Sequence, residues 1–297
     1  MSLMMVFNRF PDHASCIAYL EKVRWSDKPA CPLCGSLKVK RKNEVRRPHR
    51  WLCHDCTSSY SVLSGTIFDK TKVPLQKWFL GIALILNAKN GVASTELARH
   101  LELNQKTAWY LAMRIRKNMV VDMPLLKGIV EADETFISWQ KRKKRGDKLP
   151  NGKRDRNWLR YKMTMMGVIA RDGKVVAGLI DGRDERSIAP FLKAHVSKDA
   201  MLMSDGLPAY GTMSWYFAEH GVINHDEAMV DGDIHTNTIE SFWHLLKRQW
   251  YGTHTQYSPD YANAYATELC YKYNHRDDEN QFGDFIEKAA KPTGRRW

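Results

Sequence analysis

Three acidic residues far apart in the chain have the types and settings expected of ligands for a catalytic metal ion. Asp133 lies inside an alternating, strand-like run, KGIVEADETFI, and Asp205 ends a short apolar run, AMLMSD. Glu240 lies in a helical segment 35 residues after Asp205, which itself follows Asp133 by 72 residues. Crowded carboxylates repel one another unless divalent cations neutralise them. If the fold brings the three acids together, it therefore creates a site for divalent cations.

The helical segment that carries Glu240 has two different sides. At about 3.6 residues per turn, Glu240, His244 and Lys247 lie at positions i, i+4 and i+7 along one side. Apolar residues gather on another side: Ile239, Phe242, Trp243, Leu246 and Trp250. An ordinary amphipathic helix with a solvated charged face has the same pattern. The two acids upstream favour the interpretation in which the charged side takes part in chemistry.

Four of the six cysteines form two Cys-x-x-Cys pairs separated by 18 residues, a spacing typical of a zinc ribbon. The four thiols that would bind the zinc ion are Cys31, Cys34, Cys53 and Cys56. His49 and His54 are nearby alternative ligands. Two disulfides in a secreted module are the competing interpretation, but the first residues, MSLMMVFNRFPDHASC, lack the layout of a secretory signal. We therefore predict one structural zinc ion.

The chain is strongly basic. It has 46 lysines and arginines against 33 aspartates and glutamates, a net charge of +13 and a pI near 9.4. This charge favours a polyanionic partner, which is either nucleic acid or an anionic membrane surface. No apolar run approaches the roughly 18 residues that a membrane-spanning helix requires. We therefore predict a cytosolic protein that acts on nucleic acid.

Three predicted helices follow the ribbon. Leu75 to Asn87 is an apolar helix, Ser94 caps a second helix, and Asn104 caps a third from Gln105 to about Lys117. The succession of helix, short turn and helix predicts a helix-turn-helix DNA-binding unit. The alternative is a three-helix unit that binds no DNA, since many such units bind nothing. The third helix carries side chains suited to base edges or phosphates: Gln105, Lys106, Thr107, Tyr110, Arg114 and Arg116.

Two segments are especially basic. Lys38 to Arg50 lies between the cysteine pairs, and Gln140 to Arg160 interrupts the chain after the Asp133 strand. Each is either a solvated surface segment or a contact to phosphates. The second segment would then act as a phosphate clamp, with Lys143, Lys144 and Arg145 as the DNA-binding residues.

From about Leu126 the pattern changes to strands mixed with helices. The predicted order is a strand, a hairpin, a helix, a second strand and the helix that carries Glu240. The first four elements cover residues 127–137, 163–170 with 174–180, 185–196 and 200–205. This order is that of a ribonuclease-H-like fold.

These motifs resemble those of insertion-sequence DDE transposases with an N-terminal zinc ribbon, the ISXO-like family numbered fifteen-ninety-five. The similarity covers nearly the whole chain, through CPLC, CHDC, SGTIFD, the helix-turn-helix, VEADETFI, MSDG and HTNTIESFWHLLKR. The tail from Tyr257 to Phe285, with YKYNHR, looks like the closing helix of that family. The basic segment at 139–161 is the least constrained part of the match.

The resemblance implies roles for particular residues. The implied metal ligands are Asp133, Asp205 and Glu240, with Mg²⁺ or Mn²⁺ as the ion, and the implied DNA contacts near them are Lys247, an accessory base, and Arg248. Glu131 and Glu134 are rivals of Asp133, but the family motif places its acid at Asp133. Glu131 shares a strand face with Asp133 and Thr135, so it remains a reserve ligand.

Residues around the start of the Glu240 helix each fit more than one role. His235 and Asn237 match the family pattern and would position a phosphate or a metal-bound water, while ordinary helix capping by Asn237 is an equal alternative. Asp231 and Asp233 lie in a glycine-containing turn and fit capping or solvation better than metal binding.

The activity implied by the resemblance is DNA transposition. The protein would bind the terminal inverted repeats of its element and catalyse metal-dependent cleavage and strand transfer by the exposed 3′-hydroxyl. Two magnesium ions would activate the attacking oxygen and stabilise the leaving oxygen. The expected partner is double-stranded DNA in the prokaryotic cytosol or nucleoid. Two ends must be joined, so a homodimer or a larger assembly is expected.

We predict an α+β multidomain protein with boundaries at 1–70 for the leading helix and zinc ribbon and 71–122 for the helix-turn-helix. Residues 123–297 form the predicted ribonuclease-H-like α/β catalytic domain, with the basic insertion 139–161 and a C-terminal helix. Two other functions remain open. One is a domesticated or inactive copy that regulates by binding specific DNA, and the other is a nuclease that resolves branched DNA.

Overall fold

The computed structural model describes residues 1–26, 28–44, 49–120, 123–138, 162–171, 173–223, 234–255 and 258–292. They belong to two compact units. The first combines Met1–Met119 with the chain from Asp277 onward, and the second is Val120–Arg276. Both units contain helices, and each contains its own sheet, which confirms the predicted α+β class. No helix within the described ranges is long and apolar enough to cross a membrane.

The first unit begins with two helices and a small sheet. The helices are α1 (Leu3–Arg9) and α2 (His13–Trp25), and the antiparallel strands are β1 (Val39–Lys42), β2 (Arg50–Cys53) and β3 (Ser59–Ser61). Asp12 and Ser15 form a capping box at the start of α2, which explains why the predicted leading helix begins there. The ring of Trp25 contacts the ring of Trp51 edge-on, with centroids 5.7 Å apart, so α2 packs on the ribbon.

Three further helices follow: α3 (Leu75–Asn87), α4 (Ser94–Leu101) and α5 (Gln105–Asn118). Asn104 caps α5 as predicted, because its side-chain oxygen accepts a hydrogen bond from Thr107 N at 2.8 Å. The predicted cap of α4 at Ser94 is wrong. Ala93 already has the extended backbone of a cap, so Ser94 is the first helical residue.

The C-terminal part of the chain differs from the predicted single closing helix. It forms α8 (Pro259–Asn274), which lies in the second unit, and α9 (Gln281–Ala290), which packs on α2 and α3 in the first unit. The predicted boundary at 123–297 therefore groups α9 with the wrong unit. The reason is the apolar side of α9, where Phe282 packs against Phe10 and Phe79 with ring centroids about 6 Å apart.

The second unit is built on a five-stranded sheet. Its strands are β4 (Ile129–Ser138), β5 (Lys162–Ala170), β6 (Val175–Ile180), β7 (Met201–Asp205) and β8 (Glu219–Ile223). The spatial order is β6-β5-β4-β7-β8. Strand β5 runs antiparallel to both of its neighbours, β4 and β6. Strands β4, β7 and β8 run parallel to one another. Strand β8 was not predicted, because only the last two of its residues, EHGVI, have apolar side chains.

Helices cover both faces of this sheet. Helix α6 (Glu185–His195) packs on one face, and α7 (Asn237–Arg248) and α8 pack on the other. Strand β5 is buried on both faces along nearly its whole length, as expected for a strand covered by helices on each side. A π-helical turn, Gln249–His254, extends α7. The sheet therefore fixes the positions of β4, β7 and α7, the elements that carry the three predicted acids.

Candidate functional site

Asp133 and Asp205 lie beside each other because of the register between β4 and β7. Glu131 pairs with Met203 across these parallel strands, an offset of 72 residues. The same offset separates Asp133 from Asp205, so the two aspartates leave their strands on the same face. Asp205 is the last residue of β7, and its Oδ1 accepts a hydrogen bond from Leu207 N at 3.1 Å. The backbone beyond the strand thus holds this carboxylate at the edge of the sheet.

Glu134 joins the two aspartates. Oxygen atoms of Asp133, Glu134 and Asp205 all lie within 4.8 Å of one another, a spacing that fits a shared cation. The Tyr210 hydroxyl donates a hydrogen bond to Glu134 Oε1 at 2.8 Å. Nη2 of Arg183 lies 3.5 Å from Glu134 Oε2 and 3.8 Å from Asp205 Oδ2. The sequence interpretation named Glu134 only as a rival of Asp133 and missed both Tyr210 and Arg183, which no local pattern connects to the acids.

Burial raises the pKa of both adjacent acids on β4. The pKa of Asp133 rises to about 6, mainly because burial disfavours the charged form, and the negative charges of Asp205 and Glu240 add to the rise. The pKa of Glu134 rises to about 7 for the same main reason, with Asp205 and Asp133 adding to it. A nearby cation favours the charged form of such acids. The cluster therefore has the charge and the spacing to hold a divalent cation.

Glu240 lies in the first turn of α7. Among the described residues it is not part of the group whose oxygen atoms lie within 4.8 Å, although its charge reaches Asp133 and raises the pKa of that acid. Its Oε1 accepts a hydrogen bond from Thr236 Oγ1 at 3.0 Å. One turn further along α7, Trp243 Nε1 donates to Asp133 Oδ2 at 2.9 Å. Helix α7 therefore contacts the acid cluster directly, and the role of Glu240 as a metal ligand stays a prediction.

Gly167 explains how α7 comes so close to the sheet. It pairs with Asp133 across β4 and β5. A Cβ atom at this position would lie 2.6 Å from Trp243 Cη2 and 3.0 Å from Ile239 Cδ1, so any side chain would push the helix away. The bare backbone lets the Trp243 ring lie against the strand and its N–H reach Asp133.

Glu131 has a structural role that the sequence did not predict. Its side chain is fully buried, and Oε2 accepts hydrogen bonds from the backbone N–H groups of Thr238 at 2.8 Å and Ile239 at 3.1 Å. Oε1 accepts from Thr238 Oγ1 at 2.9 Å and from Arg171 Nε at 3.0 Å. Helix α7 has no side-chain cap from its own N-cap residue, Thr236. Glu131 therefore caps α7 from the neighbouring strand, and its interpretation as a reserve metal ligand is corrected.

Glu131→Gln is expected to destabilise the second unit by about 1–3 kcal/mol, because the amide NH₂ would face the two N–H donors of α7 and leave buried groups unpaired. Urea unfolding followed by tryptophan fluorescence measures this change. Glu219→Gln, an exposed glutamate in the same sheet, is the control and should change stability by less than about 0.5 kcal/mol. Equal effects of the two substitutions would contradict the capping role.

The other polar residues near the start of α7 are placed as follows. His235 Nδ1 lies 3.2 Å from Glu131 Oε1, so the histidine contacts the capping carboxylate rather than the acid cluster. Asn237 is exposed and is the first helical residue, while the N-cap position belongs to Thr236. Asp231 and Asp233 lie outside the described residues.

The outer side of α7 forms an open groove with a volume of about 450 Å³. Its lining residues are Ser241, His244, Lys247, Arg248 and Tyr251. Lys247 and Arg248 are both exposed, and they lie about two helical turns beyond Glu240. Of the predicted stripe, His244 and Lys247 therefore face outward together with Tyr251, which is 67% exposed, whereas Glu240 is half-buried near Asp133.

The four ribbon cysteines converge on one point. Their sulfur atoms all lie within 4.8 Å of one another, and the pairs Cys31–Cys56 and Cys34–Cys53 are each separated by 3.6 Å. Sulfur atoms about 2.3 Å from a tetrahedral zinc ion would be about 3.8 Å apart. The arrangement therefore fits a structural zinc ion. Within the described ranges, neither His49 nor His54 belongs to this group.

The predicted DNA-binding side chains of α5 divide into two sets. Gln105 and Lys106 are exposed at the start of the helix, and with Ser94, Trp109 and Tyr110 they line an open groove of about 340 Å³. Thr107 is half-buried at the same end. This end of α5 is therefore accessible to a large partner.

The arginines at the other end of α5 are not accessible in the same way. Arg116 is 1% exposed, so its predicted DNA contact is wrong: the helical period turns it toward the interior, where Nη1 lies 3.6 Å from Met113 Sδ. Arg114 is half-buried, lies over the Trp78 ring at 5.5 Å and donates to Asp69 O at 3.0 Å. Its contacts are structural. Lys143, Lys144 and Arg145 lie outside the described residues.

Two family models match the chain. An ISXO2-like transposase domain matches residues 125–274, which is just over half of the chain and contains the acid cluster and α7. A transposase zinc-ribbon domain matches residues 11–59, which contain all four ribbon cysteines.

One relative and two solved structures are similar to the chain. The relative is a Halobacterium salinarum protein described as an "uncharacterized protein in transposable element ISH50", 28% identical over 276 residues, or 88% of this chain and 91% of that protein. The structures are a Mos1 strand transfer complex and a pre-cleavage Mos1 transpososome. The first is 14% identical over 72% of this chain and 78% of that chain, with a TM-score of 0.22. The second is 13% identical over 97% and 96%, with a TM-score of 0.19.

Proposed function

The chain belongs to the family of transposases with an ISXO2-like transposase domain, and we propose that it binds the terminal inverted repeats of an insertion sequence and cleaves and transfers DNA strands. Element DNA lies in the prokaryotic cytosol, so we expect the protein to act there. The proposed cofactors are Mg²⁺ or Mn²⁺ at the acid site and Zn²⁺ in the ribbon. The proposed assembly is a homodimer or larger, since two ends must be joined.

The observation that carries this proposal is the proximity of Asp133 and Asp205, which follows from the β4–β7 register, with the helix of Glu240 packed against Asp133. Carboxylate oxygens within 4.8 Å of one another suit magnesium, which prefers oxygen ligands and leaves positions for phosphate oxygens. The strand order β6-β5-β4-β7-β8, with an antiparallel hairpin joined to parallel strands, supports a ribonuclease-H-like assignment for the second unit.

Each residue of the site has a defined part in the proposed reaction. Asp133 and Asp205 would hold the divalent cations, with Glu240 approaching from α7. Magnesium, when bound, would polarise the scissile phosphate and favour deprotonation of the attacking water or 3′-hydroxyl. Trp243 orients Asp133 through its N–H, and the backbone N–H of Leu207 orients Asp205. Lys247 offers a positive charge to the DNA backbone beyond the acids.

Sequence recognition would come from the first unit. Helices α4 and α5, joined by a short turn, are proposed as a helix-turn-helix whose second helix enters the major groove at its N-terminal end. The exposed Gln105 and Lys106 lie at that end. The basic segment at 139–161 is proposed to contact phosphates next to the cleavage site.

Lys106→Ala is expected to weaken binding to the element end and to lower the slope of log affinity against log salt by about one charge, because one phosphate contact is lost. Fluorescence anisotropy with a labelled duplex at several salt concentrations measures both quantities. Lys117→Ala, also exposed but at the far end of α5, is the control. If both substitutions change the slope equally, the start of α5 is not the recognition surface.

The proposed function is tested by cleavage of a labelled duplex that carries the end of the element. With Mg²⁺, the wild-type protein should nick the duplex at the boundary of the terminal repeat and protect that repeat in a footprint. Binding without cleavage in either Mg²⁺ or Mn²⁺ would indicate a DNA-binding relic. Binding to any branched junction, without preference for the repeat, would instead favour a junction nuclease.

A further inference from the structure

We infer that Glu134 is a further ligand of the divalent cation held by Asp133 and Asp205, an inference that rests on the proposed function. The DDE pattern assigns this cation to two aspartates and a glutamate on a helix. The geometry adds a fourth carboxylate from the residue next to Asp133. The site would then take a divalent cation with oxygen ligands from two strands before the DNA contributes its own.

Adjacent residues of a strand usually point to opposite faces, so the side chains of Asp133 and Glu134 would not ordinarily meet. They meet here because β7 ends beside them. The pairing between β4 and β7 ends at Glu131 and Met203, whereas β4 continues to Ser138. Asp205 therefore lies at the open edge of β4, where side chains from both faces can meet around it. Oxygen atoms of the three acids do meet there, within 4.8 Å of one another.

The carboxylate of Glu134 is buried and incompletely satisfied. Its side chain has no exposed surface, and Tyr210 donates a hydrogen bond to Oε1 only. In the part of the chain that the structure describes, no donor forms a hydrogen bond with Oε2. Burying a charged carboxylate oxygen without a hydrogen-bond partner is unfavourable, so a cation bound at Oε2 would stabilise the charged form of Glu134.

The guanidinium group of Arg183 already lies near Glu134 Oε2, but too far away for a strong interaction. Nη2 of Arg183 is 3.5 Å from Glu134 Oε2 and 3.8 Å from Asp205 Oδ2, an ion pair too long for a good hydrogen bond. The Arg183 side chain is 38% exposed, so it can move into solvent. A divalent cation would bring twice the charge between the same two acids. Tyr210 would then hold Glu134 in place, as hydrogen-bonding partners of metal ligands commonly do.

The test is a titration with Mn²⁺ alone, followed by electron paramagnetic resonance, on the full-length protein. Glu134→Gln keeps an acceptor for Tyr210 but removes the charge, and it should weaken Mn²⁺ binding about tenfold or more. Glu134→Asp keeps the charge but withdraws it by one methylene group, and it should also weaken binding. Glu219→Gln is the matched control, because it removes one carboxylate charge from an exposed position on β8 of the same sheet; its Mn²⁺ affinity should stay close to that of the wild type.

A second measurement counts ligands. Tb³⁺ bound at the site should be sensitised by Trp243, which contacts Asp133, and its luminescence lifetimes in H₂O and D₂O report metal-bound water. Both Glu134 variants should show more bound water than the wild type. Wild-type Mn²⁺ affinity in both Glu134 variants, or an equal loss in Glu219→Gln, would overturn this inference and leave the proposed function standing. A wild-type protein that has no saturable Mn²⁺ site would overturn both.

Discussion

Asp205→Asn is expected to lower magnesium-dependent cleavage of the element end by about a thousandfold or more, while binding to that end stays unchanged. Asp205 is the residue that the β4–β7 register brings to Asp133, and it shares the acid cluster with Glu134. A bound metal ion contributes several kcal/mol of transition-state charge stabilisation, which is lost with the ion when a ligand is removed, and each 1.4 kcal/mol or so is tenfold in rate. Single-turnover cleavage and anisotropy separate chemistry from binding.

The Asp205→Asn protein should fold. The substitution removes one of three crowded negative charges, which relieves repulsion, and asparagine keeps the oxygen that accepts from Leu207 N. Asp199→Asn is the matched control, since Asp199 is exposed just before β7 and should leave cleavage at the wild-type rate. Undiminished cleavage by the Asp205 variant would mean that other acids bind the metal.

Removal of zinc is expected to unfold the ribbon and abolish binding to the element end. The three ribbon strands have only three or four residues each, and few apolar side chains pack around the buried cysteines. A domain this small depends on its metal, and zinc binding in comparable peptides contributes roughly 10–16 kcal/mol. Treatment with a chelator should release about one zinc ion per chain. The loss of Trp51 packing on Trp25 should appear in near-ultraviolet circular dichroism.

Cysteine variants provide the control for this experiment. Cys53→Ala should lose zinc and end binding together, because Cys53 is fully buried within the cluster. Cys16→Ala should keep both, because Cys16 is equally buried but lies in α2 outside the four-sulfur group. Metal-free protein that still binds the element end at full affinity would remove the ribbon from DNA recognition.

Some features of this protein follow from residues that are close together in the chain. The two Cys-x-x-Cys pairs predicted the sulfur cluster, since each pair needs only a tight turn to present both thiols. Asn104 predicted the start of α5, because a cap acts within one turn. The alternation around Asp133 correctly placed Glu131 and Asp133 on one strand face. In each case the physical cause operates over a few residues, so the local pattern contains it.

Other features depended on contacts between distant parts of the chain. The role of Glu131 follows from the start of α7 reaching that carboxylate, more than a hundred residues later in the chain. Arg116 looked like a DNA contact because its type is right, but the packing of α5 turns it inward. Helix α9 packs in the first unit because apolar surface there, around Phe10 and Phe79, covers its own apolar side.

The acid site contains both features that the sequence determined and features that only the tertiary structure decided. The sequence by itself determined the acid types, the strand and helix that carry them and the family to which the chain belongs. Only the tertiary structure decided that Asp133 meets Asp205, that Glu134 joins them and that Glu131 does not. The reason is that strand register and the end of β7 are set by long-range packing, and a shift of one residue would turn every side chain to the other face.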